Sequence, residues 1–382
     1  LFNRKKNMNL KKSVYDGTKR IFYLDALRVM AIACVIMIHV YTRMRGFILT
    51  EYAFPPSFNW LMTLFFGNVP RIGVDLFLIL SGALSLGRVW DIKSFLGKRI
   101  PRIISPFVFW SVCIVLSVMI VSVTIPGVFK LPEQGFTISG FLNLFYAYIM
   151  AAKPYAHQNW FFWMILGTYL IMPIFNKWIL HADFSEIEYF LVFWLVTCFF
   201  DYTLMTACPI KLSYFTSPIG LVVLGYYLRH TERKLLNNAY FGIGLIIISI
   251  ILTMILGYYL SDVHEIYTFN RYSILNSITV IGVFVLFKTY DQLRIYKFLT
   301  KFKDSFISVV YHNSVFSIAK YSYGIYLIHL VILHVLIPIV VGFANSYKVS
   351  FMLCFVLCLG ISWAIMAILN RVPKVNNVIG AK

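Results

Sequence analysis

The run from Leu24 to Arg43, LDALRVMAIACVIMIHVYTR, is long enough to span a bilayer at about 1.5 Å per residue, yet it carries groups that lipid penalises. Asp25 and Arg28 lie near one end and His39 near the other. Arg28 and His39 are eleven residues apart, close to three helical turns, so a helix places them on one face about 16 Å apart. Ionisable groups inside a membrane span normally face a polar cavity or a partner and mark function. The bland alternative is a snorkelling Arg28 paired with Asp25 at i,i+3 and a packed His39.

Composition sets the class. Hydrophobic residues make up 60% and charged residues 13%, against roughly 25% charged in a soluble domain, and the mean hydropathy is +0.78. These values exclude a soluble domain and imply a polytopic membrane protein. A net charge of +19 would suggest nucleic acid in a soluble chain. Here the positive residues sit in loops, where the positive-inside rule accounts for them, so the bilayer is the expected partner and nucleic acid is not. The basic start RKKNMNLKK precedes a span without a small-residue cleavage site and reads as the flank of a retained first helix.

Apolar stretches of spanning length fall at about 24–43, 72–88, 103–125, 160–180, 187–206, 213–230, 239–260, 272–290, 319–343 and 348–370. The expected fold is all-α with about ten transmembrane helices, and the ambiguous stretch 139–152 could add an eleventh. With the N-terminus inside, 25 of the 34 lysines and arginines fall on the cytoplasmic side and eight outside, Arg28 being within the first helix. That asymmetry supports an N-in, C-in topology. The organisation expected is a basic segment 1–20, a transmembrane domain 21–371 and a short cytoplasmic tail 372–382.

Five groups of residues could carry chemistry. The first is the Arg28–His39 face. The second, GVDLFLILSGAL, holds Asp75 among apolar neighbours, with Arg71 one turn earlier as the bland partner, and Ser81-Gly82, which serve close helix packing equally well. The third, FLGKRIPRIISPF, brings Lys98, Arg99 and Arg102 into a helix shaped by Pro101 and Pro106. It reads as a positive-inside anchor or as a clamp for a phosphorylated cytosolic molecule. The fourth, HQNWFFWMILGTYLIMP, starts at His157 and Trp160, and is either an interfacial aromatic belt or a sugar-stacking surface. The fifth, AKYSYGIYLIHLVILHV, carries Tyr323, Tyr326, His329 and His334, with Tyr326 and His329 adjacent at i,i+3. His181, His230, His264 and His312 fall in loops as incidental surface residues. Six cysteines show no metal-ligand spacing, so neither a metal nor disulfides are expected.

Four of these stretches, LDALRVMAIACVIMIH, GVDLFLILSG, RIPRIISP and SYGIYLIH, occur in an order that resembles the acyltransferase-3 family of integral membrane O-acyltransferases. The likeness runs from about residue 20 to 370. Its HQNWFFWMILGTYLIMP and SYGIYLIHLVILH stretches are especially similar to the branch that O-acetylates enterobacterial common antigen. The resemblance implies transfer of an acetyl group from acetyl-CoA to a hydroxyl of a cell-envelope glycan, in the cytoplasmic (inner) membrane of a bacterium. It marks Arg28 and His39 as essential and maps the family's Arg-x-x-Arg pair onto Arg99 and Arg102. Residue chemistry adds roles to this. His39 suits a general base or an acyl-accepting relay. Arg28 suits oxyanion stabilisation, and Lys98, Arg99 and Arg102 suit the phosphates of acetyl-CoA. Asp75, Ser81, His157, Trp160, Tyr326 and His329 are the expected acceptor-side residues. A transporter or flippase, or transfer of succinyl or another acyl group, is the competing expectation. The oligomeric state is not legible.

Overall fold

The computed structural model describes residues 21–49, 58–125, 127–206, 210, 218–261, 266–293, 306–344 and 346–381. Within them the chain is helical throughout. In order run α1 (Phe22–Leu49), α2 (Phe58–Asn68), α3 (Ile72–Ser85), α4 (Ile92–Thr124), α5 (Ile138–Ile149) and α6 (Trp160–His181). Then follow α7 (Phe184–Phe199), α8 (Pro218–His230), α9 (Ala239–Leu260), α10 (Ile274–Lys288), α11 (Phe306–Phe343) and α12 (Tyr347–Leu369). Helices satisfy their own backbone, which is what a span in lipid demands. Eight described stretches are long and apolar enough to cross a bilayer, as a polytopic membrane protein requires.

The expected spans all fall on helices, with differences at their ends. The second does not begin at residue 72: α2 and α3 join through a tight turn, Val69–Arg71, into one apolar stretch from Trp60 to Ser85. Asn68, Pro70 and Arg71 interrupt the hydropathy there, although Pro70 sits at the start of the turn, where a missing N–H is harmless. α4 begins at Ile92, capped by the Asp91 side chain accepting from the Ser94 N–H at 3.1 Å, so Lys98, Arg99 and Arg102 lie within the helix. α11 likewise starts thirteen residues before the stretch expected from residue 319. The stretches expected at 213–230 and 272–290 form helices of 13 and 15 residues, shorter than the roughly 20 a span needs, with residues 211–217 outside the described set. The ambiguous stretch 139–152 is a short helix, α5. The basic segment 1–20 and His264 lie outside the described residues.

α1, α3 and α11 form the centre, and α9 and α12 present apolar residues such as Ile247, Ile251, Met352 and Val356 outward, as lipid-facing helices do. α3 meets α8 at two glycines. A Cβ on Gly82 would overlap the Val222 carbonyl, and one on Gly225 the Ile79 carbonyl. Without side chains there, the backbones approach closely. Gly82→Ala is therefore expected to destabilise by about 1–3 kcal/mol or more, as overpacking does. Gly244→Ala, where added volume meets open space, should leave the melting temperature of the purified protein unchanged. Equal melting of the two variants would remove the packing role from Gly82. Residues expected as a tail fold back: Ile379 is buried, and its carbonyl accepts from Trp110 Nε1 at 3.1 Å.

Candidate functional site

Successive spans alternate direction, so the starts of α1, α4 and α11 share one end of the bundle, here the basic end. Arg28 Nη1 donates to Asp25 Oδ1 at 2.6 Å, and the buried Asp25 holds the guanidinium against α1. The i,i+3 pair foreseen as the bland alternative thus forms, but it does not retire Arg28. Arg28 lines a cavity of about 420 Å³ together with Arg99, Arg102 and Lys320. Arg99 and Arg102 are i,i+3 on α4 and so share its inner face.

Ser81 also lines this cavity, its hydroxyl donating to the Phe77 carbonyl at 2.9 Å, while Gly82 beside it serves packing. A smaller cavity of about 230 Å³ shares Arg99 and Arg102 as walls and adds Arg88 and Lys98. Its floor is aromatic: the Trp90 and Phe95 rings stack at 4.0 Å and 13°.

At its inner end the larger cavity meets Phe77, Phe161 and Tyr326. The Tyr326 hydroxyl donates to the Gln158 carbonyl at 2.6 Å, which fixes the ring. The His329 ring lies 5.6 Å behind it, and the His39 ring 5.2 Å from His329. His329 Nδ1 is 2.7 Å from the Tyr326 carbonyl, and a carbonyl only accepts, so Nδ1 carries the proton. Its Nε2 is buried, with no hydrogen-bond partner among the described residues. The pair forms a polar centre between the cavity and the far end of the bundle.

Arg28 and His39 therefore share a face but not a location. Arg28 is in the cavity with Arg99 and Arg102, and His39 is beyond Tyr326, eleven residues along α1. No group as small as an acetyl reaches both across three helical turns. The bland alternative for Asp75, a pair with Arg71, does not form. Arg71 Nε donates to the Gly67 carbonyl at 2.8 Å, and buried Asp75 keeps Oδ1 unpartnered among the described residues.

Asp75, His157 and Trp160 lie at the end away from the basic one, with His157 exposed on the turn Pro154–Asn159. Three residues that matter escaped the sequence reading. Lys320 enters the cavity, Arg271 stacks over the Trp160 ring at 3.8 Å, and Arg43 reaches His334. Arg43 alone had a signal, its i,i+4 spacing from His39.

The sequence profile of the acyltransferase-3 family, described as an acyltransferase domain, matches residues 21–367. The chain belongs to this family. No curated protein and no solved structure matches it. The match covers the helices that build the cavity and carry the histidine pair.

The placement of the two ends has a direct test. In a cysteine-free background, His157→Cys is expected to react with an impermeant thiol reagent from one side of the membrane and Arg88→Cys only from the other. Labelling of both from the same side would overturn the two-ended arrangement.

Proposed function

We propose that this acyltransferase moves an acetyl group from acetyl-CoA to a hydroxyl of a cell-envelope polysaccharide or its lipid-linked precursor, in the inner membrane of a bacterium. One observation carries the reading: a single cavity connects a cluster of arginines at the basic end with the wall in front of the two histidines. That shape suits a donor with phosphates at one end and a thioester on a long arm at the other.

Arg99, Arg102 and Lys98 face the phosphates from the cytoplasmic side, where the positive-inside rule places the basic end. Arg28 meets the donor part-way, and the arm passes Phe77 and Tyr326 to present the thioester near His39. His39 takes the proton of the acceptor hydroxyl, whose oxygen forms a bond to the acetyl carbonyl carbon. The carbon–sulfur bond then breaks, and the thiolate leaves and is protonated. His329, fixed by the Tyr326 carbonyl, packs its ring beside His39, so its role is to orient that imidazole and to stabilise it when charged. The acceptor arrives from the end that carries His157 and Trp160.

The test is mass spectrometry of envelope glycans from cells with and without the protein, together with label transfer from acetyl-CoA by the purified chain. A gain of one acetyl group per modified sugar supports the reading. Unmodified glycans and no label transfer would favour transport instead.

A further inference from the structure

The end of the bundle away from the basic one holds two half-buried arginines, Arg43 and Arg271, that form no close ion pair among the described residues. Arg43 is one turn beyond His39 on α1 and so shares its face. Its Nη1 lies 3.4 Å from His334 Nδ1, while His334 Nε2 is 3.1 Å from the Val128 carbonyl and therefore carries that ring's proton. Arg43 Nη2 is buried and has no hydrogen-bond partner among the described residues. Arg271 places its guanidinium carbon 3.8 Å from the centre of the Trp160 ring and forms no ion pair among the described residues. Asp75 and His39 both lie within its electrostatic reach, and Arg43 also acts on His39.

Topology does not explain these cations. Only eight of the 34 lysines and arginines fall in the segments at this end, and a positive-inside bias removes them from it. Anchors would stand in exposed loops, whereas Arg43 and Arg271 are both half-buried. A partly desolvated guanidinium that makes no direct ion pair is unfavourable, and a planar fork of donors fits a carboxylate or phosphate.

We propose that Arg43 and Arg271 form an anion subsite beside His39 that receives a carboxylate or phosphate of the acceptor glycan. The acceptor is then an acidic sugar or a sugar phosphate, held so that a neighbouring hydroxyl reaches His39. The proposal rests on the acyl-transfer reading and adds the charge class of the acceptor. Trp160, clamped beneath Arg271, gives the sugar an apolar edge to lie against and doubles as a reporter.

The experiment measures tryptophan fluorescence of the full-length purified chain titrated with methyl glucuronide, glucose 1-phosphate and methyl glucoside. One of the two charged probes is expected to bind about tenfold or more tightly than the neutral one, as loss of a charge-assisted contact implies, and more so at low salt. A preference for the glucuronide identifies a carboxylate, and one for the phosphate identifies a phosphorylated acceptor.

Arg43→Gln and Arg271→Gln should each erase the preference while acetyl-CoA binding, measured by calorimetry, stays unchanged. Arg43→Lys and Arg271→Lys should keep part of the preference, which separates lost charge from a damaged fold. Equal response to charged and neutral probes, including none to either, overturns the subsite. So does a preference that survives both glutamine variants. Label transfer from acetyl-CoA is scored separately, so an absent reaction with an intact anion preference removes the acyl-transfer reading and leaves the subsite standing.

Discussion

His39→Ala is expected to lower acetyl transfer by about 100-fold to 10,000-fold, the range that removal of a positioned general base produces. His39 sits beyond the inner wall of the cavity, its ring 5.2 Å from a histidine whose proton is already committed to a backbone carbonyl. No other histidine on α1 can substitute for it. The variant should still reach the membrane and bind acetyl-CoA with unchanged affinity, because the arginines that face the cavity are untouched. His329→Gln should be milder than His329→Ala, since a side-chain amide keeps a polar group beside the His39 ring. His39→Ala retaining near-normal transfer would remove the residue from the chemistry. Its loss of acetyl-CoA binding would relocate it to the donor site. If the acetyl passes through the imidazole, label from acetyl-CoA should be trapped on the wild-type chain without acceptor and be absent from the variant.

The sequence revealed the architecture because lipid imposes a strong and simple pattern. Ten apolar stretches could be read, and the described part of each falls on a helix. The ends of those helices were less legible. Asn68, Pro70 and Arg71 look like a loop but form a turn inside a continuous span, and the polar starts of α4 and α11 extend well beyond the apolar parts.

For the site, spacing gave the shared face of Arg28 and His39 but not their separation into a cavity and a centre behind it. That division depends on Phe77, Phe161 and Tyr326 converging from α3, α6 and α11, and such tertiary meetings leave no periodicity in the chain. Gly82 and Ser81 show the same limit. They are neighbours with one signature, yet one closes a helix contact and the other lines the cavity. Arg271 was counted only as a loop cation, although it acts on residues 196 and 232 positions earlier, Asp75 and His39.

Replacing Arg99 and Arg102 together with glutamine is expected to weaken acetyl-CoA binding by tenfold at the least. Each charged hydrogen bond contributes about 1.5–3 kcal/mol, and about 1.4 kcal/mol is a factor of ten in affinity. Both side chains form walls common to the two adjoining cavities, so one ligand occupying both would meet them at its middle. The stacked Trp90 and Phe95 rings beneath the smaller cavity suit a planar base, and Lys98 and Arg88 suit a further phosphate.

The opposing explanation is that α4 carries these cations only to fix its orientation in the membrane. That explanation predicts altered topology or yield with unchanged affinity in whatever protein is recovered. Calorimetry with acetyl-CoA separates the two, and free CoA in the same titration shows whether the nucleotide end alone accounts for the loss. Arg28→Gln extends the argument along the cavity. Because Arg28 lines the larger cavity together with Arg99 and Arg102, its loss should weaken acetyl-CoA while sparing a short thioester that lacks the phosphates. Equal effects on both donors would place Arg28 at the reacting carbonyl and return it to the oxyanion role that its shared face with His39 first suggested.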